Sequence, residues 1–97
     1  MAKGYIIAHV NVRNADAYQG YVTGNTPIIQ GRHGARYVVR GGKGQTMEGA
    51  TFERHVVIEF ESFDAALAAY NDPDYQAVAD IRRANADSNI YVVEGAD

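Results

Sequence analysis

Apolar and polar residues alternate along four short segments of this chain, which is the pattern of strands that bury one face. The predicted strands cover residues 5–12, 35–40, 52–60 and 90–94. In the first strand, the apolar residues from Ile6 to Val12 share one face, and His9 lies on the other. In the third strand, His55 and Glu59 lie opposite the apolar face. This alternation in the two strands predicts that His9, His55 and Glu59 occupy the same side of a sheet.

Helical spacing of apolar residues and strong capping residues predict the helices between the strands. Asn14 is expected to cap the first helix, and Ser62 the second. Asp72 followed by Pro73 predicts a restart as a further helix, because proline is well suited to the first helical turn. Pro27 is expected to kink or break the first helix, since it lacks an amide hydrogen.

The resulting order of elements is β-α-β-β-α-β, with a long glycine-rich hairpin over residues 41–51. This order predicts a single α+β domain over residues 1–97, a ferredoxin-like sandwich with a four-stranded antiparallel sheet. The first and third strands are expected at its centre, with the helices on one face. A chain of 97 residues buries only a thin core. We therefore expect a second copy to cover the other sheet face, which gives a homodimer shaped as an α+β barrel.

Composition excludes several functional classes. The net charge is −3 and basic residues form no run, so nucleic acid is not an expected partner. The chain has no cysteine, hence no disulfide, thiolate metal site or thiol nucleophile. No segment is apolar for long enough to suggest a membrane span or leader, and a cytoplasmic location is expected.

No sequence motif predicts a cofactor or a metal. The glycine-rich residues 41–44 lead into a strand, whereas a phosphate-binding loop leads into a helix, so a turn is the favoured interpretation. The histidines lack the spacing of a metal-binding helix. If a dimer encloses the outer sheet face, His9, His55 and Glu59 would lie near one another and could move a proton or hold a cation. The alternative is a hydrogen-bonded polar cluster without a catalytic role.

Tyrosines and arginines supply the candidate ligand-binding residues. Tyr18, Tyr21 and Tyr75 could line an apolar pocket with phenol hydroxyls between the helices and the sheet. The alternative for these side chains, favoured for Tyr70, is ordinary core or rim packing. Arginine forks bind carboxylates well, and the candidates are Arg36, Arg40 and Arg82. Arg36 and Arg40 are expected to share a strand face. Pairing with acidic residues of the fold, including Glu59, is the competing interpretation.

The combined motifs resemble a known family along nearly the whole chain. They are KGYIIA at 3–8, Tyr18-x-x-Tyr21, RYVVRGG at 36–42, VVIEF at 56–60, Ser62-Phe63, Ala65-Ala66, Tyr70-x-x-Pro73-x-Tyr75-Gln76, Arg82 and Asp87-Ser88. In this order they resemble the family called domain of unknown function 1330, within the dimeric α+β barrel superfamily. The resemblance implies a homodimer whose sheets face each other. The superfamily includes cofactor-free monooxygenases, lactone isomerases and haem-degrading or haem-dependent enzymes.

Two positions depart from the pattern of that family. Ala69 stands where a tryptophan is common, which is expected to enlarge or empty any pocket under its helix. Asp72 replaces a common serine and should cap the helix equally well.

Two functions remain open at this point. The first is a cofactor-independent enzyme acting on a small aromatic or carboxylated substrate, with tyrosines shaping the pocket and His9 or His55 moving a proton. The second is a non-catalytic homodimer that binds a small molecule or has a structural role.

Overall fold

Four antiparallel strands and three α-helices are formed by residues 2–96, the part of the chain that the computed structural model describes. In chain order these are β1 (Gly4–Val12), α1 (Ala15–Thr26), a π-helical segment (Pro27–Arg32), β2 (Arg36–Arg40), β3 (Arg54–Phe60), α2 (Phe63–Tyr70), α3 (Pro73–Asn85) and β4 (Ala86–Glu94). Met1 and Asp97, the ends of the predicted domain, lie outside the described residues.

The strand order in the sheet is β2-β3-β1-β4, and every pairing is antiparallel. The first and third strands are therefore central and adjacent, which confirms the predicted ferredoxin-like topology. The helices pack on one face. Along β1 the buried positions alternate as predicted, with Ile6 and Val10 facing the helices and His9 facing away. None of the helices within residues 2–96 is long and apolar enough to cross a membrane.

The last strand begins four residues earlier than predicted, at Ala86. The polar residues 87–89 are typical of a turn, which is why the sequence pattern delays the strand. In the structure this stretch pairs with β1, where Val12 lies opposite Ala86 and Val10 opposite Ser88. Ala86 is buried and Asp87 is exposed, so the alternation extends through the polar residues. Pairing with a central strand overrides their local preference.

The first helix changes its winding at Pro27. α1 ends at Thr26, and residues Pro27–Arg32 continue as a π-helix with Ile29 buried in the core. The amide of His33 donates to the carbonyl of Ile28, which is the five-residue spacing of a π-helix. Proline at the first position of this segment removes a donor where the winding changes. The predicted kink position is thus a change of helix type within a continuous helical path.

The outer sheet face, opposite the helices, carries an apolar row that crosses all four strands. The paired residues Val39, Val57, Ile7 and Tyr91 form this row, one from each strand. Tyr91 is 51% exposed and Val39 is 40% exposed. On one side of the row, His55, His9 and Asn89 are paired across the sheet.

Asp72 anchors the start of α3. Its carboxylate accepts hydrogen bonds from Nε2 of His33 at 2.8 Å, Nη1 of Arg32 at 2.9 Å and the amide of Asp74 at 2.9 Å. These donors, led by His33, lower the pKa of Asp72 from 3.8 to about 2. The pKa of Asp72 is lower in the folded chain than in the unfolded chain. The carboxylate therefore stabilises the fold at pH values above its pKa in the unfolded chain. This stabilisation is lost as the pH falls from 3.8 through about 2.

We expect Asp72→Asn to lower the melting temperature by a few degrees at pH 7, since asparagine keeps the cap but loses the charge. The difference from the unsubstituted protein should shrink as the pH falls from 4 towards 2. Asp80→Asn is the matched control, because Asp80 is exposed and pairs with Arg83. Thermal melts monitored by circular dichroism between pH 2 and 7 measure both variants. A difference that stays constant down to pH 2 would contradict the role assigned to the charge.

Candidate functional site

A cavity lies between the sheet and the two helices α1 and α3. Its floor is apolar and consists of inward-facing strand residues, including Ile6, Val56 and Ile90. Its walls carry four tyrosines, three arginines and one asparagine: Tyr18, Tyr21, Tyr37, Tyr75, Arg40, Arg54, Arg82 and Asn25. We refer to it as the tyrosine–arginine cavity. Its composition, an apolar base with convergent polar groups, is typical of small-molecule sites.

The first helix supplies one wall because Tyr18, Tyr21 and Asn25 recur at helical spacing. Asn25 donates from Nδ2 to the carbonyl of Tyr21 at 2.8 Å, and its Oδ1 accepts from the hydroxyl of Tyr37 at 2.8 Å. The hydroxyls of Tyr21 and Tyr75 are hydrogen-bonded at 2.8 Å, which links α1 to α3. Both helices are thus held over the sheet by polar contacts at the cavity wall.

Burial strengthens the preference of three phenols of the cavity for the protonated form. It raises the pKa of Tyr18, Tyr21 and Tyr37, and the neighbouring Tyr75 raises the pKa of Tyr21 further. A protonated phenol donates one hydrogen bond. In the Tyr21–Tyr75 pair, one hydroxyl donates to the other, and the second proton remains available to a ligand.

Within residues 2–96, the three arginines of the cavity have no carboxylate beside them. No residue among 2–96 that lines the cavity is acidic, and no ion pair of these arginines is found among the described residues. Arg82 is only 4% exposed, and its Nη1 donates to Oγ of Ser88 at 2.7 Å. Nε of Arg82 and Nε of Arg54 are buried without a hydrogen-bond partner.

Arg40 reaches the cavity because of an irregularity in β2. The register with β3 shifts between Tyr37 and Val39, which inserts Val38 as a bulge. Tyr37 and Arg40 therefore both face the helices, whereas Arg36 faces outward and pairs with Glu59. The prediction that Arg36 and Arg40 share a strand face is wrong, since it assumed unbroken alternation. The Arg40 guanidinium lies 4.1 Å from the ring centroid of Tyr37 and donates to Oγ1 of Thr26.

The enclosed space of the cavity is about 30 Å³. A cavity needs roughly 10–15 Å³ to hold one water molecule, so this volume has room for two waters or a group the size of a carboxylate. Arg40 is exposed and lies at the rim. A larger ligand would therefore place its polar end inside and its body towards the surface beside Arg40.

The cavity brings together the predicted ligand-binding residues Tyr18, Tyr21, Tyr75, Arg40 and Arg82. It excludes Glu59, which faces the opposite side of the sheet. There the hydroxyl of Tyr5 donates to Glu59 at 2.9 Å, and this hydrogen bond, together with Arg36, lowers the pKa of Glu59.

Sequence reasoning missed three wall residues, Asn25, Tyr37 and Arg54. Arg54 had a usable signal, because the inward alternation of Val56, Ile58 and Phe60 extends back to position 54. Tyr37 also had a signal, because it alternates with the buried Ala35 and precedes the bulge at Val38. Asn25 lies in the segment that was expected to end or kink the helix.

His9 and His55 lie on the outer face and are opposite each other in the register of β1 and β3. Their Nδ1 atoms are 2.8 Å apart. Glu59 is four residues further along β3, about 13 Å away at the usual rise, so the predicted cluster of two imidazoles and a carboxylate does not form within the chain. Within residues 2–96, no three histidine or acidic side chains converge as metal ligands.

The histidine pair borders an open cleft of about 460 Å³ between the sheet and the loop after β2. We call it the histidine cleft; it is lined by His9, His55, Phe52, Asn89 and loop residues 45–48 and 50. The sheet separates this cleft from the tyrosine–arginine cavity. His9 or His55 therefore cannot move a proton on a ligand held among the tyrosines of the same chain.

The predicted opening at Ala69 is not present. Ala69 is fully buried in the core together with Ile6, Phe60 and Ala66. It lines neither the tyrosine–arginine cavity nor the histidine cleft. The helix α2 that carries it packs directly on the sheet, which encloses the Ala69 side chain in the core.

The chain matches the family described as Domain of unknown function (DUF1330) over residues 3–96. It belongs to that family. The match confirms the resemblance drawn from the motifs. No curated protein matches this DUF1330 chain significantly.

Solved structures similar to this DUF1330 protein support its fold. A protein of unknown function from Rhodopseudomonas palustris has a TM-score of 0.79 at 20% identity, with 99% of this chain and 84% of that chain covered. A dimeric ferredoxin-like protein of unknown function from Thermobifida fusca has a TM-score of 0.62 at 14% identity, with coverages of 99% and 92%. An ethyl tert-butyl ether d (ethd) family protein from Bacillus halodurans has a TM-score of 0.59 at 12% identity, with coverages of 99% and 100%. At these identities, the similarity establishes the fold alone.

Proposed function

We propose that this DUF1330 protein binds a small organic carboxylate in the tyrosine–arginine cavity. The observation that carries the proposal is the pair of buried Nε atoms, on Arg54 and Arg82, that have no hydrogen-bond partner. An unpaired polar group in the interior costs free energy, and native proteins seldom leave one without a reason. A bound anion would accept hydrogen bonds from both guanidinium groups and balance their charge.

The surroundings favour a carboxylate attached to an apolar body. Guanidinium groups bind carboxylates through their planar fork. The hydrogen-bonded hydroxyls of Tyr21 and Tyr75 supply a further donor to an oxygen inside the cavity. The floor of aliphatic residues and the ring of Tyr37 at the rim would contact hydrocarbon or aromatic atoms. A volume that admits one carboxylate matches a ligand that enters with its charged end first.

Benzoate tests this proposal, with benzamide as a neutral probe of nearly the same shape. We expect benzoate, and hexanoate as an aliphatic comparison, to bind in calorimetry and raise the melting temperature, because a ligand of the folded state stabilises it. Benzamide should bind at least tenfold more weakly, since it cannot balance the arginine charge. Equal binding of the amide and the carboxylate, or binding of neither carboxylate, would overturn the proposal. Inorganic phosphate binding alone would indicate a site for a different anion.

We also propose that the protein is a homodimer whose outer sheet faces pack together. The apolar row formed by Val39, Val57, Ile7 and Tyr91 supports this, because it is a continuous, partly exposed stripe on an open sheet. The similar Thermobifida fusca protein is described as dimeric, which agrees with the proposal.

Tyr91→Glu is expected to convert the dimer to a monomer. Tyr91 is the end of the apolar row on the edge strand β4, and a charge there would be buried without a partner in a closed sheet interface, whereas the monomer exposes this position. Ile81→Glu is the control, since Ile81 is also exposed but lies on α3 at the helical face. Sedimentation equilibrium at micromolar concentration measures both. A monomeric unsubstituted protein, or a Tyr91→Glu variant that remains dimeric, would contradict the sheet-to-sheet assembly.

The second candidate function is a cofactor-independent enzyme that acts on the same carboxylate. The hydrogen-bonded hydroxyls of Tyr21 and Tyr75 favour it, because one of their two protons is free to be donated to a substrate oxygen. Chemical change of a carboxylate bound by the wild-type protein, lost in Tyr75→Phe with binding retained, would distinguish the enzyme from a binding protein.

A further inference from the structure

The histidine cleft contains a pair of imidazoles that the proposed carboxylate site does not use. His9 and His55 come from the two central strands and are directly opposed in register. Their ring centroids are 5.1 Å apart with the planes at 72°. Since both are held by a regular antiparallel pairing, their spacing is set by the backbone of the sheet.

The distance between the two Nδ1 atoms suits two ligands of one metal ion. They are 2.8 Å apart, and in the absence of a metal one ring donates a proton to the other. Two nitrogen ligands at right angles, each about 2.0 Å from a metal, lie about 2.8 Å from each other, whereas tetrahedral ligands lie about 3.3 Å apart. For an ion about 2.0 Å from both Nδ1 atoms, each nitrogen must point about 45° away from the line that joins the two atoms, so both rings turn as the ion replaces the shared proton.

The cleft also offers space and further donors for the remaining coordination positions. Asn89 extends the row next to His9, and Gln45 and Met47 of the loop line the same cleft. The volume of about 460 Å³ admits several water ligands. Gly44 lies against the ring of His55, where an added Cβ would be 3.2 Å from Cδ2, so the loop covers the edge of that imidazole.

We propose that His9 and His55 bind a borderline divalent transition metal, with Cu²⁺ preferred over Ni²⁺ and Zn²⁺. Neutral imidazole suits these ions, and the right-angled spacing favours the tetragonal geometry of Cu²⁺ over tetrahedral Zn²⁺. Water and oxygen donors of the cleft complete the coordination. The site lies on the outer face and is independent of the tyrosine–arginine cavity.

Titration of the full chain, free of any affinity tag, with Cu²⁺ tests the site. We expect saturable binding that is weakened at least tenfold in His9→Gln and in His55→Gln. His33→Gln is the matched control, because His33 is elsewhere in the fold and is hydrogen-bonded to Asp72. Binding should also weaken at low pH, since protons compete for the imidazole nitrogens. A stoichiometry of one ion per chain, or one per two chains, supports the site if both histidines are required.

Electron paramagnetic resonance of the wild-type protein with Cu²⁺ provides a reading that needs no variant. The expected spectrum shows a tetragonal copper centre coupled to imidazole nitrogens. A spectrum without imidazole coupling would overturn the proposal, even if a variant fails to fold. So would binding that is unchanged in both His9→Gln and His55→Gln, or no binding by the wild-type protein.

Discussion

Replacing Arg82 with methionine is expected to weaken benzoate binding by about 10- to 150-fold, because a hydrogen bond to a charged group is worth about 1.5–3 kcal/mol. Arg54 and Arg82 are the two cavity arginines whose Nε has no hydrogen-bond partner, and Arg82 is the more buried of them. Its guanidinium lies 5.5 Å from the ring centroid of Tyr21, beside the hydroxyl pair that would share the ligand. Removing the cation takes away both charge and donors from the innermost part of the cavity.

The same substitution should leave the protein as stable as before, or make it more stable. A buried cation without a carboxylate is costly, and replacement of buried charges by apolar residues of similar volume is often neutral or stabilising. Methionine is unbranched and flexible enough to fill the space left by the arginine stem. A loss of binding at an unchanged melting temperature would therefore separate ligand recognition from folding.

Arg83→Met is the control for this prediction. Arg83 is the next residue of α3, faces solvent, and pairs with Asp80 and Gln76 outside the cavity. Isothermal titration of benzoate into the three proteins gives the dissociation constants, and thermal melts give the stabilities. An equal effect of the two substitutions, or unchanged binding by Arg82→Met, would remove the tyrosine–arginine cavity as the carboxylate site.

The fold was predictable because its signals are local and agree with one another. The alternation in β1 and β3 gave the buried faces, and the caps at Asn14, Ser62 and Asp72 gave the helix starts, each confirmed by a side-chain hydrogen bond to a backbone amide. The start of β4 was missed, since polar residues 87–89 acquire their strand conformation from pairing with β1 and not from their own preferences.

The candidate site was less predictable because its composition depends on one bulge and on tertiary packing. A single inserted residue, Val38, moves Arg40 from the outer face to the cavity. The tyrosine spacing on α1 pointed to the correct helix face. The sequence could not show that Arg54 and Arg82 have no ion-pair partner among residues 2–96, because that depends on which acidic side chains the fold brings near. Ala69 shows the reverse case, in which a small residue predicted to open a pocket is enclosed in the core.

Gly4→Ala is expected to be the most destabilising small substitution in the chain, with a loss of about 3 kcal/mol or more in the free energy of unfolding. Gly4 is buried at the start of β1, between Phe60 and Glu94 of the neighbouring strands. The turn from β3 into α2 passes directly over it. A Cβ atom at this position would overlap the carbonyl of Ser62 and lie 2.6 Å from the amide nitrogen of Phe63.

The overlap involves backbone atoms, so no side-chain rotation relieves it. Ser62 is the cap of α2, and its Oγ accepts from the amide of Ala65 at 3.1 Å. Its carbonyl also accepts the first backbone hydrogen bond of the helix, from Ala66. Moving the turn would disturb both contacts, and moving β1 would disturb its pairing with two strands. The cost is therefore larger than that of one added methyl group in an adaptable core.

Gly31→Ala provides the control, since a Cβ built on Gly31 meets no atom within 4 Å and its backbone needs no glycine. This change should stay within about 0.5 kcal/mol of the unsubstituted protein. Urea unfolding at one fixed protein concentration compares the two, because the stability of the proposed dimer would depend on concentration. The melting temperature of Gly4→Ala should fall by roughly 15 °C. Equal unfolding midpoints for Gly4→Ala and Gly31→Ala would show that the turn at Ser62 does not rest on β1 as closely as the structure places it.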